Sequence, residues 1–371
     1  MRTSPLQFAD CLGRIPFYFP ARALGNPPPL PLSLALCVTH RCNADCLTCN
    51  IASRPANEMS IEEWRCVFRS FGRKTLWFTI TGGEPFLRGD MTELLEALLE
   101  TCVPAHVTIA TNGSLIEAVL EAAEICNSHQ KTKVALNVSI DGPREAHDRI
   151  RGRVGAYDTA TETLRKLSET KPRNLRLGVH TVISRHNVDF IPELVDEVGA
   201  LGPDSHFFEI AQPRAELAME GANLAPDPES MRRALTYARR QLDLGNGNVE
   251  AALRLVSAFR KEYYHAVESS LCDGGRMPPC YAGVASAYVS PDGTLTACPN
   301  RREEMGRLRG GGIGFKKLWH SRAAAGARRA VRKEDCRCTL ANAAYTSMMF
   351  RPTAVFRSLS RMASSMDIGF G

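Results

Sequence analysis

Residues 33–49 read SLALCVTHRCNADCLTC, and the fold turns on how that stretch divides. Its first six residues, Ser33 to Val38, form a short apolar run of the kind found in a buried β-strand. Behind them come Cys42, Cys46 and Cys49 in a C-x3-C-x2-C pattern. A helix-like stretch begins near residue 60, where Ser60 followed by Glu63 has the form of a capping box. The same unit of strand, loop and helix then repeats. Strand-like runs recur at 76–81, 106–110, 134–140, 175–183 and 206–210, with helix-like stretches at 60–71, 91–101, 114–127, 156–170 and 188–200. Such alternation predicts βαβ units around a parallel sheet. Six strands fall short of the eight that close a full barrel. The expected class is therefore α/β, a partial (β/α)6 TIM-like barrel with its working loops at the C-terminal ends of the strands.

Composition sets the outer bounds. The 371 residues are 44% hydrophobic and 23% charged, ordinary for a soluble chain and long for one domain. No apolar run approaches the roughly 18–20 residues of a membrane span. The opening MRTSPLQFADCLGRIPFYF lacks the basic-then-apolar order of a secretory signal, so a cytoplasmic location is expected. In a reducing compartment thirteen cysteines point to metal binding or chemistry rather than to disulfides. The net charge is +6, and residues 301–333 hold eleven Lys/Arg against two Glu. That stretch reads either as a solvated face or as an attractor of an anionic substrate, lipid headgroup or nucleic acid.

Texture divides the chain into a Pro-rich lead-in (1–32), the barrel (33–227), a connecting helical segment (228–270), a Cys/Gly/Pro-rich region (271–340) and a tail (341–371). Apolar residues of the tail fall at loosely helical spacing, which suits a packing helix or a peripheral membrane contact.

Three thiolates on one short loop can wrap a single cluster. Iron–sulfur cubanes ordinarily take four cysteines, so a local three leaves one iron without a protein ligand. Zinc with a distant fourth ligand and plain structural thiols are the alternatives. The pattern and its place after the first strand resemble the radical S-adenosylmethionine (SAM) superfamily. That resemblance implies a [4Fe–4S] cluster on Cys42, Cys46 and Cys49. Its open iron would chelate S-adenosylmethionine, and a 5′-deoxyadenosyl radical would abstract hydrogen from substrate. It also implies a flavodoxin- or ferredoxin-type electron donor. The residue before the third cysteine, commonly aromatic in that family, is Thr48.

Later loops extend the resemblance over residues 33–210. TGGEP after the second strand (Gly82, Gly83, Glu84, Pro85) combines glycines that permit close backbone approach with a carboxylate that can accept from an ammonium group. It is similar to the family's methionine-binding GGEP. TNG follows the third strand and contributes Asn112. SIDG ends the fourth, placing Ser139 and Asp141 on one strand face, suited to ribose hydroxyls or the methionine end of the cofactor. On the fifth strand, Thr181 and Val182 match the family's adenine-flanking positions. Arg151 of HDRIRG is expected to pair with Asp148.

A second cysteine set comprises Cys280, Cys298, Cys336 and Cys338. The first two bracket a hairpin expected to turn at Pro291-Asp292-Gly293. By count, four cysteines suit zinc or an iron–sulfur cluster equally. The region resembles the SPASM extension or its shorter relative, twitch, implying one auxiliary [4Fe–4S] cluster with Cys272 as a fifth candidate ligand. Cysteines 11, 37, 66, 102 and 126 read as core residues. Gly310–Gly312 and Gly314 lack the βαβ setting of a dinucleotide loop.

The functional expectation is radical modification of an unactivated C–H bond. With about 32 residues ahead of the barrel, a small molecule, sugar or lipid precursor is the leading substrate, and maturation of a ribosomally made peptide the alternative. A non-catalytic metal-binding scaffold and a zinc nucleic-acid module are the rivals from other classes; no nucleic-acid partner is expected. Tyr281, Tyr288, Glu209, Gln212 and Arg214 are unranked candidates to line the cavity.

Overall fold

The computed structural model describes residues 5–244, 251–301, 303–310, 314–333 and 338–364. Six strands carry the barrel: β1 (Ser33–Cys37), β2 (Trp77–Thr81), β3 (His106–Thr111), β4 (Lys133–Ser139), β5 (Leu175–Ile183) and β6 (Ser205–Ile210). Each pairs in parallel with its neighbour, and helices alternate with them: α2 (Ile61–Phe71), α3 (Met91–Cys102), α4 (Ile116–Ser128), α5 (Arg144–Arg151), α6 (Ala156–Thr170) and α7 (Ile191–Ala200). The Ser60–Glu63 capping box opens α2 as expected, satisfying two orphan donors of its first turn.

The two faces of the barrel sheet differ. Leu34, Leu36, Phe78, Ile80, Val107, Ile109 and Val138 are buried in one core with Trp64, Phe68, Leu94 and Leu98 of the helices. Each such side chain contributes about 2 kcal/mol through the water it sheds. The alternate positions turn inward and are mostly polar: Thr79, Thr108, Asn137, His180 and Glu209. This period-two polarity was present in strands read simply as apolar runs.

The sheet continues past residue 271, where the change of texture begins. β7 (Ser286–Val289) joins β1 in parallel, and β8 (Thr294–Thr296) and β9 (Glu304–Arg307) extend it antiparallel. Nine strands thus lie in the order β6-β5-β4-β3-β2-β1-β7-β8-β9. The expected hairpin is β7–β8, and Gly293 at its turn has φ +82°, which favours glycine.

The lead-in holds an unexpected helix, α1 (Pro5–Leu24), with Pro16 and Pro20 inside it. Its Arg14 and Tyr18 donate to the Leu30 carbonyl, and the Tyr18 ring packs 5.3 Å from Phe350. The connecting segment is two helices, α8 (Pro228–Leu244) and α9 (Ala251–Cys272). Short α10 (Phe315–Trp319) and α11 (Arg322–Lys333) follow β9. The tail supplies α12 (Ala341–Met348) and α13 (Pro352–Ser364), both packed on α9. Among the described residues no helix is long and apolar enough to cross a membrane.

Candidate functional site

The loop after β1 is laced to the loop after β2. Val38 N donates to Thr81 O, Gly83 N to Thr39 O and Glu84 N to Arg41 O, at 2.8–2.9 Å. A Cβ on Gly82 would lie 2.5 Å from Thr39 O, and one on Gly83 2.2 Å from Arg41 O. The two glycines are therefore required by the fit of one loop against the other. Buried Arg88 ties the start of the loop down by donating to Val38 O and Met59 O, while Glu58 pairs with Arg41 at 2.9 Å. From the α5 side, Leu47 N donates to Ile150 O. Held from three directions, the loop presents Cys42, Cys46 and Cys49 to a cavity of about 490 Å³ at the C-terminal ends of the strands.

Burial pushes the Cys49 thiol up to about 11 and raises that of Cys42. Unligated, these thiols are protonated at neutral pH; coordination to a metal deprotonates a thiol outright. The Arg151 guanidinium stands 3.8 Å from Cys46 Sγ, a cation placed to offset thiolate charge. Three thiol donors on one fixed loop, a cation beside them and a polar wall opposite suit an anionic thiolate-bound cluster. Among the described residues no three His, Cys, Asp or Glu side chains share a point suited to a single metal ion.

Of the cofactor candidates, Gly82, Gly83, Asn112, Ser139, Asp141 and Val182 line the cavity, whereas Glu84, Pro85 and Thr181 do not. The Glu84 carboxylate is fully buried and accepts from Thr111 Oγ1, Asn112 N and Phe86 N. It fastens the β2 loop to the β3 loop, with Pro85 starting a single turn behind it. Thr181 faces the other side of β5 and donates to Ile140 O. Asn112 shares its amide with Asn43 Oδ1 of the cysteine loop at 2.8 Å. The Arg151 pairing departs from expectation. Its partner is Asp141, at 2.8 Å, because the β4 loop turns that carboxylate back over α5. Asp148 instead accepts from Gly155 N and Tyr157 N at the start of α6.

Across the cavity, Tyr288, Glu209, Gln212 and Arg214 are in the wall; Tyr281 is not, being stacked on Phe350. His180 and Glu216, which sequence reasoning passed over, belong with them. His180 Nε2 and Glu216 Oε2 are buried without a hydrogen-bond partner. Burial holds His180 below the usual imidazole range and raises the Glu216 carboxyl. Arg214 pairs with Glu209 at 3.5 Å and stands within the field of both Cys49 and Cys338. Burial would lower its guanidinium, but Glu209, Glu216, Cys338 and Cys49 together outweigh burial and raise it.

Cys298 lines the same cavity. Cys338 accepts from Leu340 N at 3.3 Å and Asn300 Nδ2 at 3.6 Å, and Cys280 from Ala282 N at 3.4 Å. Cys336 lies outside the described residues. Cys272 rests against Pro228 O and Met231 of α8, apart from the cavity wall.

The family model described as "Radical SAM superfamily" matches residues 36–198. Fe-coproporphyrin III synthase of Methanosarcina barkeri is 34% identical over 43% of this chain and 39% of its own length. The subtilosin biosynthesis protein AlbA of Bacillus subtilis is 25% identical over 73% of this chain and 55% of its own. The chain thus spans about two fifths to just over half of these relatives. Among solved structures, Streptococcus suis SuiB bound to precursor peptide SuiA superposes with a TM-score of 0.59 at 18% identity, covering 81% of this chain and 67% of SuiB; that likeness concerns the fold. With the three-cysteine loop topping the first strand of a six-stranded partial barrel, residues 36–198 form a domain of the radical SAM superfamily.

Proposed function

We propose that this enzyme modifies an unactivated C–H bond of a peptide in the cavity between the Cys42–Cys49 loop and Cys298. The observation that carries the reading is the continuity of that cavity: one space is bounded by the three-thiol loop on one side and a cysteine of the second set on the other. Cys42, Cys46 and Cys49 would hold a [4Fe–4S] cluster that, when loaded, supplies the electron cleaving S-adenosylmethionine to a 5′-deoxyadenosyl radical. Cys280, Cys298 and Cys338, with Cys336, would hold one auxiliary cluster.

The chain's own residues have separable tasks. Gly82 and Gly83 present backbone, and Asn112 and Ser139 present polar side chains, to the cofactor's methionine and ribose groups. Asp141 holds Arg151 beside Cys46. Glu209, Arg214 and Glu216 offer charged partners for the amides and side chains of a bound peptide. A flavodoxin- or ferredoxin-type protein would deliver the electron.

A peptide is preferred to the small molecule expected at first because AlbA is named for biosynthesis of a bacteriocin and SuiB was solved with a precursor peptide. The match to the coproporphyrin synthase covers 43% of the chain, too little to carry a substrate across. The test is anaerobic reconstitution with iron and sulfide, then dithionite, S-adenosylmethionine and the short peptides encoded beside the gene. Formation of 5′-deoxyadenosine with a mass change on one peptide is expected. No 5′-deoxyadenosine would sink the whole reading; 5′-deoxyadenosine with no peptide changed would sink the peptide.

A further inference from the structure

The basic stretch 301–333 has a structural counterpart away from the cavity. Between the C-terminal end of α1 and the face of α11 lies a hollow of about 220 Å³, into which Arg22, Arg328, Arg329, Arg332, His320 and Ser321 project. Among the described residues no carboxylate lines it, and none of the four guanidiniums has an acidic partner. Gathering cations without counter-charge is costly where water is partly excluded.

The arrangement is nonetheless fixed. The Arg328 guanidinium lies over the Trp319 ring, 4.6 Å from its centroid, and donates to the carbonyls of Gly283 and Trp319. Trp319 itself is fully buried and donates to Pro29 O at 2.8 Å. Burial holds Arg328 down to about 10. Gly25, at φ +82°, leaves room for Arg332, whose Nη1 would sit 2.9 Å from a Cβ at that position. Arg22 spends its Nε on Cys280 O at 2.7 Å. Most of the N–H donors of the four guanidiniums remain available to a ligand in the hollow.

We propose that this hollow is a binding site for a phosphoryl dianion, a phosphate or pyrophosphate group. Guanidinium forks match phosphoryl oxygens bidentately, and a compact dianion neutralises more of the cluster than one carboxylate can. The hollow is small, which suits a compact group rather than an extended acidic chain. Its occupant would be felt at Cys280 through Arg22, which touches both.

Trp319 supplies the readout. Inorganic phosphate and pyrophosphate are titrated into the reconstituted full-length protein at constant ionic strength, following tryptophan fluorescence, with Trp319→Phe assigning the signal. Arg329 and Arg332 are the arginines whose loss should spare the fold, checked by thermal melting without ligand. A saturable change is expected, tighter for pyrophosphate, with affinity about tenfold or more weaker in Arg329→Gln/Arg332→Gln, as loss of charge-assisted contacts predicts. The proposal is overturned by no saturable change, by an equal response in the double variant (an adventitious ion only), or by a polyglutamate peptide binding more tightly than pyrophosphate.

Discussion

Arg151 bridges two elements of the site: its Nη2 pairs with the Asp141 carboxylate at 2.8 Å while its Nη1 faces Cys46 Sγ at 3.8 Å. Both partners are largely buried, so removing either leaves an uncompensated charge. Asp141→Asn and Arg151→Gln are each expected to destabilise the fold by about 3 kcal/mol, and the double variant by much less than the sum. Denaturant unfolding of the three variants measures the coupling. Additive losses would show that the pair does not act as a unit.

Gly83 and Gly89 make a matched pair for a second test. A methyl group on Gly83 would collide with the Arg41 carbonyl, 2.2 Å away, whereas one on Gly89 meets nothing within 4 Å. Gly83→Ala must displace the cysteine loop and should cut iron loading several-fold. Gly89→Ala should load like the parent. Iron and sulfide assays after identical reconstitution decide it, and normal loading of Gly83→Ala would remove the interlock from the account of the site.

These residues also show what the sequence could and could not disclose. All six barrel strands were legible to within a residue at either end, because each is a short apolar run set between longer amphipathic stretches. Gly82 and Gly83 were singled out for ligand approach alone; their packing against Thr39 and Arg41 depends on two loops far apart in the chain. Asp148 looked like the partner of Arg151 by proximity in sequence, since nothing local shows that Asp141 curls back across a loop. The parallel pairing of β7 with β1 was invisible for the same reason, a hairpin reading being confined to neighbours. Helix α1 was masked by Pro16 and Pro20, residues that ordinarily end helices. The inward row Thr79, Thr108, Asn137, His180 and Glu209 was legible as period-two alternation and was overlooked.

The proposed division of labour between the two cysteine sets can be tested directly. Cys42→Ser, Cys46→Ser or Cys49→Ser should abolish 5′-deoxyadenosine formation, with loss of about half the iron if two four-iron clusters are present. Cys298→Ser should retain 5′-deoxyadenosine formation but not peptide modification. Cys66, expected in the core but exposed on α2, is the control, and Cys66→Ser should behave as the parent. Retained iron in the first three variants would refute their assignment as ligands.

Acid sensitivity follows from three histidines whose surroundings largely exclude water, His147 and His206 buried and His106 partly so. Burial depresses His106 and His147 to about 4 and His206 to about 3. In the unfolded chain each imidazole takes up its proton near pH 6.5. Between those values the unfolded state binds more protons, so stability is fully present above about pH 6.5 and is lost as pH falls toward 4. Each histidine can contribute a slope approaching about 1.4 kcal/mol per pH unit. Urea unfolding from pH 7.5 down to 5 reads the summed slope, to which His180 adds and the raised Glu84 and Glu216 carboxyls subtract, so a single-histidine variant is needed to assign it. His147 Nδ1 accepts from Asp141 N at 2.9 Å, a role an asparagine oxygen can take over. His147→Asn should therefore fold and show a shallower slope; an unchanged slope would mean that His147 is not held neutral.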